Sequence, residues 1–324
     1  MNEIYLSSLS IIVGFALLVW GADRFVHGAS ATARNLGVSP LIIGLTIVGF
    51  GTSAPEILVS YSAAMEGNPG LAVGNALGSN ITNIALVLGI TALICPLEVK
   101  SETLRREYPA MFAIMLIALV LAMDGDLTRT DGLILLSGLG LMVFWMVNLG
   151  LRKSRVDPME IEYANEIPRI TTMAALFWLM VGLATLLLSA KILVWGSINV
   201  AKFLGVSDLV IGLTIVAIGT SLPELAASVM SALKKEPDIA IGNVIGSNMF
   251  NLLAVLGLPA AISPLKLDAG VLERDFPYMI GLSIALFTMA YGFRQHGRIN
   301  RIEGGLLFTA YIAYLVLLYF TIRT

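Results

Sequence analysis

The sequence predicts an all-α membrane protein in which ten transmembrane helices form two inverted repeats of five helices each. An apolar composition, ten long apolar segments and an internal duplication support this fold class. The chain has 324 residues, of which 57% are apolar and 13% are charged. Roughly a quarter of the residues of a soluble domain are charged, so most of the surface of this protein must face lipid.

The apolar segments are separated by charged residues and by glycine or proline, and crossing a bilayer core takes about 20 residues of helix. We predict spans at residues 4–27, 38–65, 71–95, 107–123, 130–150, 171–199, 206–233, 239–262, 275–293 and 303–321. The first segment lacks the basic start and the cleavage site of a secretory signal. We therefore expect it to remain as a span of the mature protein.

A stretch of mixed charge divides the chain into halves. We expect residues 1–150 to form the first repeat, 151–170 a cytoplasmic linker and 171–324 the second repeat. Leaving aside Arg24 and Lys191, which lie within spans, thirteen of the other eighteen Lys and Arg residues fall on the side of the linker. The positive-inside rule then predicts a multi-pass protein of the cell (inner or cytoplasmic) membrane, with extracellular or periplasmic termini.

The composition also limits the partners and the chemistry. Cys95 is the only cysteine, so the chain can form neither an intramolecular disulfide nor a cysteine metal cluster. His27 and His296 lie far apart near the ends of apolar segments, where we interpret them as interfacial side chains. No basic cluster suggests a nucleic-acid partner. We expect a functional monomer in a lipid bilayer, with small ions as substrates and no cofactor.

The duplication is visible in two blocks of sequence. Residues 36–56 read LGVSPLIIGLTIVGFGTSAPE and residues 204–224 read LGVSDLVIGLTIVAIGTSLPE, with 16 of 21 positions identical at an offset of 168. The same offset aligns 74–89 with 242–257, with nine of 16 identical. Because five spans is an odd number, the second half must enter the membrane in the opposite sense. Inverted repeats of this kind are typical of secondary transporters, whose substrates bind near the midplane between the repeats.

Two helical hairpins bring one glutamate each to the middle of the membrane. The first hairpin turns at 66–70, and Glu56 lies roughly 15 Å before that turn at 1.5 Å per helical residue. The second turns at 234–238 and places Glu224 at the same depth from the opposite side. A bilayer core is about 30 Å thick, so the two carboxylates should converge near its middle. A glutamate inside a span costs several kcal/mol and is functional by default.

Hydroxyl and amide side chains accompany the glutamates at helical spacing, because residues four apart share one helix face. The four pairs are Thr52 with Glu56, Ser79 with Asn83, Thr220 with Glu224, and Ser247 with Asn251. A hydroxyl in a membrane helix often bonds only the backbone, but repetition beside the glutamates favours a ligand role. A ring of oxygen ligands suits hard cations such as Ca²⁺ and Na⁺, whereas soft metals prefer thiolate or imidazole.

The helices that carry the glutamates should be broken at the same depth. Pro55 has no N–H for the carbonyl of Gly51, and Pro223 has none for that of Gly219. Together with Gly49, these residues should free main-chain carbonyls beside the glutamates. Irregular backbone at this depth is tolerated only where it is buried in protein or lines a wet cavity, and freed carbonyls are also oxygen ligands.

Other features have simpler interpretations. Two GxxxG pairs favour close helix packing, and they are Gly74 with Gly78 and Gly242 with Gly246. Asp23, Arg24 and Lys191 lie toward the ends of spans one and six. Their charged groups can extend to the membrane interface, and a role in gating or ion access is the alternative.

Four motifs resemble the two alpha-repeats of the sodium/calcium exchangers, within the calcium/cation antiporter superfamily. They are GTSAPE (51–56), GTSLPE (219–224), GSNITN (78–83) and GSNMFN (246–251). Together with the ten spans, the resemblance covers essentially the whole chain. It favours the compact prokaryotic members, because the linker is too short for the regulatory domains of animal exchangers.

The resemblance implies an antiporter in which Na⁺ entry drives Ca²⁺ out, with overlapping ion sites. It implies that Glu56 and Glu224 are the central ligands shared by both ions, and that spans one and six slide as gates. The flanking Na⁺ ligands implied are Thr52, Ser53, Thr220 and Ser221, with carbonyls near Gly49 and Ala217. The residues implied to line the same chamber are Ser79, Asn83, Ser247 and Asn251.

The coupling ion has alternatives. Potassium-dependent exchangers resemble this chain but have Asp where Asn251 stands, which argues against potassium co-transport and leaves the stoichiometry open. Proton-coupled calcium exchangers have different acidic motifs, so proton coupling is the second hypothesis. A cation channel could use the same oxygen ring, but the inverted repeat and the broken helices favour alternating access. Because the spans contain no G-x-S-x-G, H-E-x-x-H or paired Asp motif, we expect no enzyme.

Overall fold

A computed structural model describes residues 2–67, 69–99, 103, 105–151, 170–205, 217–291 and 297–323. Each of the ten predicted spans contains a helix among these residues. The part 206–216 of the seventh predicted span lies outside them, as does 152–169 of the predicted linker. By length and composition, six helices of the described part can each cross a membrane alone, or seven spans if a bent pair counts as one.

The first half contains five spans, numbered here in chain order. They are α1 (Asn2–Leu36), α2a and α2b (Pro40–Thr52 and Ala54–Met65), α3 (Pro69–Thr82, Asn83–Val87 and Leu88–Ile94), α4 (Glu107–Ala122) and α5 (Arg129–Leu151). The middle piece of α3 is a π-helical turn. A second π turn, Gly44–Val48, lies within α2a.

The second half repeats this order of helices in its described residues. Its helices are α6 (Thr172–Phe203), α7a and α7b (Ala217–Thr220 and Leu222–Leu233), α8 (Pro237–Phe250, Asn251–Val255 and Gly257–Ile262), α9 (Phe276–Tyr291) and α10 (Arg301–Arg323). The middle piece of α8 is again a π turn, and a further π turn, Val271–Asp275, leads into α9.

Helix α1 is longer than its apolar pattern indicates. The predicted span ends at residue 27, whereas the helix continues to Leu36 and has 35 residues. At about 1.5 Å per residue it is about 52 Å long, well beyond a core of about 30 Å. Hydropathy predicts the part of a helix that faces lipid. It does not predict the residue at which the helix ends.

Two short strand pairs join loops of opposite halves. Strand β1 (Leu97–Glu98) pairs with β4 (Arg298–Ile299), and β2 (Asp126–Leu127) pairs with β3 (Leu265–Lys266). In a chain of ten crossings, the loops after spans three and nine lie on one face of the membrane, and the loops after spans four and eight lie on the other. Both pairings obey this rule, so they agree with the predicted inverted topology.

Helices α1 and α6 run antiparallel and touch at glycines that the repeat duplicates. The 168-residue offset relates Gly14 to Gly182 and Gly28 to Gly196. A Cβ atom on Gly182 would lie 2.3 Å from the main-chain nitrogen of Phe25, and one on Gly28 would meet main-chain atoms at the same distance. Only glycine permits this approach of the two backbones.

Helix α8 is buried over most of its length and packs against α2a. A Cβ atom on Gly246 would lie 2.3 Å from the main-chain oxygen of Leu45, and one on Gly242 would lie 2.6 Å from that of Leu41. The prediction that this GxxxG pair serves close packing is therefore confirmed. The equivalent partners of Gly74 and Gly78 fall at 209–213, outside the described residues.

We expect Gly182→Ala to lower the Tm of the purified protein in detergent. The added methyl would overlap the backbone of α1, and overpacking of this kind costs roughly 1–3 kcal/mol. Gly140→Ala is the matched control, because Gly140 is exposed on α5 with no neighbouring atom within 4 Å of the added carbon. An equal Tm for the two variants would contradict the close contact between α1 and α6.

Candidate cation site

The two predicted glutamates occupy equivalent positions just after a break in their helices. Helix α2a ends before Ser53, whose φ and ψ are −80° and 1°, and α2b begins with a bend of 42°. Ser221 interrupts the second half in the same way, with φ and ψ of −91° and 7°. The prolines 55 and 223 lie in the first turn of the new helix, where a missing N–H leaves no hydrogen bond unmade.

The carboxyl groups of Glu56 and Glu224 come together at the interface of the two repeats. Each residue is only 1% exposed. The Glu224 carboxyl interacts electrostatically with that of Glu56 and with the hydroxyl side chains of Thr52 and Ser53 from the first half. Two buried carboxyl groups that interact in this way repel each other when both are ionised, so a cation between them would stabilise the arrangement.

Several polar atoms around the two carboxyl groups are buried without a hydrogen-bond partner among the described residues. They are both carboxyl oxygens of Glu56, one of Glu224, the hydroxyls of Ser53 and Ser221, Asn83 Oδ1, and the amide oxygen and nitrogen of Asn251. A buried polar atom without a partner costs about 1–3 kcal/mol. So many of them at one interface indicate a site built to bind a ligand, and nearly all are oxygen atoms.

A second group of predicted residues forms a cluster across the two halves. Thr52 Oγ1 lies 3.3 Å from Ser247 Oγ, and Ser247 Oγ donates to the main-chain oxygen of Gly49 at 3.3 Å. That oxygen also accepts the N–H of Ser53 at 3.1 Å. The Gly49 carbonyl therefore keeps its helical hydrogen bond while facing the site, and its role as a sodium ligand stays a prediction.

The remaining predicted residues occupy equivalent places in the two repeats. Asn83 and Asn251 each begin a π turn, and Ser79 is buried one turn before Asn83. Thr220 ends the short helix α7a and Ala217 begins it. Single π turns within α-helices are frequent at functional sites. The assignment of individual ligands stays a prediction.

Two residues next to the site, the half-buried Asn75 and the buried Asn243, were missed by the sequence analysis. Asn75 Nδ2 donates to the main-chain oxygen of Glu56 at 2.9 Å, and Asn243 Nδ2 donates to that of Glu224 at 3.3 Å. Both residues follow the first glycine of a GxxxG pair and are identical in the repeat alignment. This identity between the repeats was the signal that could have pointed to the two asparagines, but only the glycines of the motif were interpreted.

The composition of the candidate site, as far as the structure describes it, favours a hard cation as ligand. The described residues contain no group of three or more His, Cys, Asp or Glu side chains that could hold a metal ion. The negative charge must come from two carboxylates, and the other ligand atoms available are hydroxyl, amide and main-chain oxygens. Such sets bind Ca²⁺ and Na⁺ better than soft metals.

Comparison with known proteins identifies the family. The model of a family described as sodium/calcium exchanger protein matches residues 6–148 and again 174–320, once in each half. The chain belongs to the sodium/calcium exchanger family. A solved structure of the sodium-calcium exchanger NCX_Mj, soaked with 10 mM Na⁺ and zero Ca²⁺, matches it with a TM-score of 0.84 and 32% identity, over 97% of this chain and 99% of that one.

Relatives along the full length support the same placement. CaxA of Alkalimonas amylolytica is 50% identical over 97% of this chain and 98% of its own. The inner membrane protein YrbG of Escherichia coli is 41% identical over 97% of both chains. This exchanger is therefore a multi-pass membrane transporter of cations and not an enzyme, with ten spans in two repeats.

We expect Ca²⁺ to raise the Tm of the wild-type exchanger in detergent, and expect Glu56→Gln and Glu224→Gln each to remove that shift. Glutamine keeps the shape of the side chain but not its charge. A ligand that binds only the folded state stabilises it by about 2.7 kcal/mol at 100 times its Kd. Glu98→Gln, at an exposed residue of β1, is the control. A full Ca²⁺ shift in either site variant would contradict a shared carboxylate site.

Proposed function

We propose that this exchanger is a secondary antiporter that moves Na⁺ in exchange for Ca²⁺ by alternating access. The observation that carries the proposal is the pair of repeat-related carboxyl groups at the interface of the halves, with oxygen atoms that lack partners among the described residues. Two carboxylates can neutralise one Ca²⁺ ion, or they can share several Na⁺ ions with the surrounding hydroxyls. Occupancy by one ion then excludes the other.

The relatives support sodium coupling over the alternatives. NCX_Mj is a sodium-calcium exchanger, and MaX1 of Methanosarcina acetivorans, 33% identical over 96% of this chain, is named a sodium/calcium exchanger. The sodium/potassium/calcium exchanger 3 of Homo sapiens matches only 36% of the chain. Asn251 adds no carboxylate to the site. The site therefore offers less negative charge for binding K⁺ in addition to Ca²⁺ and Na⁺. Proton coupling is the second candidate, and the flux measurement below distinguishes it from sodium coupling.

The ligand roles, the domain bounds and the orientation belong to the same proposal. Glu56 and Glu224 bind both ions, and the predicted hydroxyl, amide and carbonyl groups complete the flanking sites. Residues 1–150 and 171–324 are the two repeats, and 151–170 is a cytoplasmic linker. Both termini lie on the extracellular or periplasmic side of the membrane, as the distribution of Lys and Arg residues favours.

In proteoliposomes loaded with Na⁺, we expect ⁴⁵Ca²⁺ uptake that follows the Na⁺ gradient and does not change when K⁺ or H⁺ gradients are imposed separately. Glu56→Gln and Glu224→Gln should each abolish uptake while the protein stays folded, because one charge cannot balance a divalent ion. Glu98→Gln should transport normally. Uptake that ignores Na⁺ but follows pH would favour proton coupling, and uptake without counter-ion stimulation or saturation would favour a channel.

An ion pair suggests how one face of the exchanger is closed. Asp23 of α1 lies 2.7 Å from Lys234, at the turn that follows α7b, and α1 packs along α7b. The repeat offset relates Asp23 to Lys191 and Lys234 to Glu66, so the other half carries the same pair with its charges exchanged. Lys191 and Glu66 are exposed and form no ion pair with each other in this state. Within the described residues, α6 does not pack along α2b in the same way.

These two pairs are proposed to close opposite faces in turn. The turn at 234–238 and the turn at 66–70 lie on opposite sides of the membrane in a ten-span topology. In the described state the Asp23–Lys234 pair holds α1 against the second hairpin. In the alternate state Lys191 would hold α6 against the first hairpin through Glu66. This proposal refines the expectation that spans one and six are gates. It gives Asp23 and Lys191 a role in gating, which was the alternative to their interpretation as interfacial residues.

We expect Asp23→Lys to slow exchange about fivefold, because like charges replace a partly exposed ion pair worth up to about 1 kcal/mol. Asp23→Lys combined with Lys234→Asp should restore most of the rate. Lys191→Glu should slow exchange similarly, with rescue by Glu66→Lys. Arg105→Glu, at an exposed residue outside both pairs, is the control for charge reversal. If Lys191→Glu exchanged at the same rate as this control, the proposed pair of Lys191 with Glu66 would be contradicted.

A further inference from the structure

We infer that Asn243 is a positioning residue, which orients the Thr52 hydroxyl and the first turn of α7b so that their oxygens face the cation. The inference rests on the proposed exchange function, because it concerns the residues that bind the transported ions. Asn243 is fully buried, and its side chain hydrogen-bonds Thr52, Ser228 and the main-chain oxygen of Glu224. It acts through Thr52 and Glu224, one from each repeat.

The hydrogen bonds of Asn243 determine which way its amide points. Its Nδ2 lies 3.3 Å from the main-chain oxygen of Glu224 and 3.0 Å from Ser228 Oγ. A main-chain oxygen can only accept, so the amide nitrogen must lie on that side. The amide oxygen therefore points the other way, where it lies 3.0 Å from Thr52 Oγ1. Because an amide oxygen cannot donate, Thr52 must donate its hydroxyl hydrogen to Asn243.

The direction of this hydrogen bond decides what Thr52 can offer to a cation. A hydroxyl binds a cation through an oxygen lone pair, so its hydrogen must point elsewhere. Asn243 accepts that hydrogen at 3.0 Å, whereas the main-chain oxygen of Gly49 lies at 3.4 Å. Without Asn243, the Thr52 hydroxyl would be left to donate its hydrogen to the Gly49 oxygen or to the carboxyl group of Glu224, with which it also interacts. That hydrogen would then occupy an oxygen that the cation needs.

The first half repeats the two donor bonds of this arrangement. Asn75 Nδ2 donates at 2.9 Å to the main-chain oxygen of Glu56 and at 2.9 Å to Ser60 Oγ. Ser60 and Ser228 are related by the same 168-residue offset. Each asparagine thus ties the first turn of a glutamate helix to the neighbouring helix of its hairpin. This duplication supports a role in placing the carboxyl groups.

The test is a double-mutant cycle on the half-saturating concentrations of Ca²⁺ and Na⁺ in proteoliposome exchange. Thr52→Val and Asn243→Ala should each raise the half-saturating Na⁺ concentration roughly tenfold, the size expected for one lost hydrogen bond or ligand. The double variant should be no worse than the worse single variant, because both remove the same oriented oxygen. Asn75→Ala is the matched control, and its effect should multiply with that of Thr52→Val.

Effects of Asn243→Ala and Thr52→Val that multiply would overturn the inference while leaving the proposed exchange intact. Thr52→Val without any effect would overturn it as well. The proposed function has separate tests, because it would fail if the glutamate variants transported normally or if uptake did not follow the Na⁺ gradient. Should Asn243→Ala not fold, Asn243→Asp replaces it. Aspartate keeps an acceptor for Thr52 but loses the donor to Glu224, so Thr52→Val must still be as harmful in the Asn243→Asp background as in the wild type.

Discussion

Two carboxyl groups buried against each other impose the constraint on which the rest of this structure depends. Glu56 and Glu224 are each 1% exposed, and three of their four carboxyl oxygens lack a hydrogen-bond partner within the described part of the chain. Such an arrangement is unfavourable unless a cation or a proton neutralises it. If cations occupy this site as proposed, the buried pair gives the protein a physical reason to exchange one cation for another and not to release one alone.

The helix breaks and the glycines follow from the need to hold those carboxyl groups at one depth from opposite sides. Pro55 and Pro223 allow each helix to restart next to its glutamate, and Ser53 and Ser221 occupy the irregular residue between the pieces. Glycines at the crossings of α1 with α6 and of α2a with α8 bring the backbones close. Asymmetric packing of α1 on α7b then gives one of the two states that an inverted repeat can adopt.

Much of this could be predicted from sequence because the duplication acts as an internal comparison. The span order, the two glutamates and the broken helices were visible from hydropathy, offset and proline position. Asn243 was missed because its role depends on the orientation of an amide between two helices, which no spacing reveals. The length of α1 was underestimated since residues after 27 are helical but not apolar. The Asp23–Lys234 pair joins elements that are distant in sequence, so only tertiary structure brings it together.

If both carboxyl groups belong to one site, Ca²⁺ and Na⁺ must compete for it. This competition can be measured by equilibrium binding of ⁴⁵Ca²⁺ to the purified exchanger over a series of Na⁺ concentrations. We expect one Ca²⁺ per chain, complete displacement by Na⁺, and loss of that single site in Glu56→Gln and in Glu224→Gln alike. Two independent Ca²⁺ sites, of which each variant removes only one, or binding that Na⁺ does not displace, would contradict this expectation.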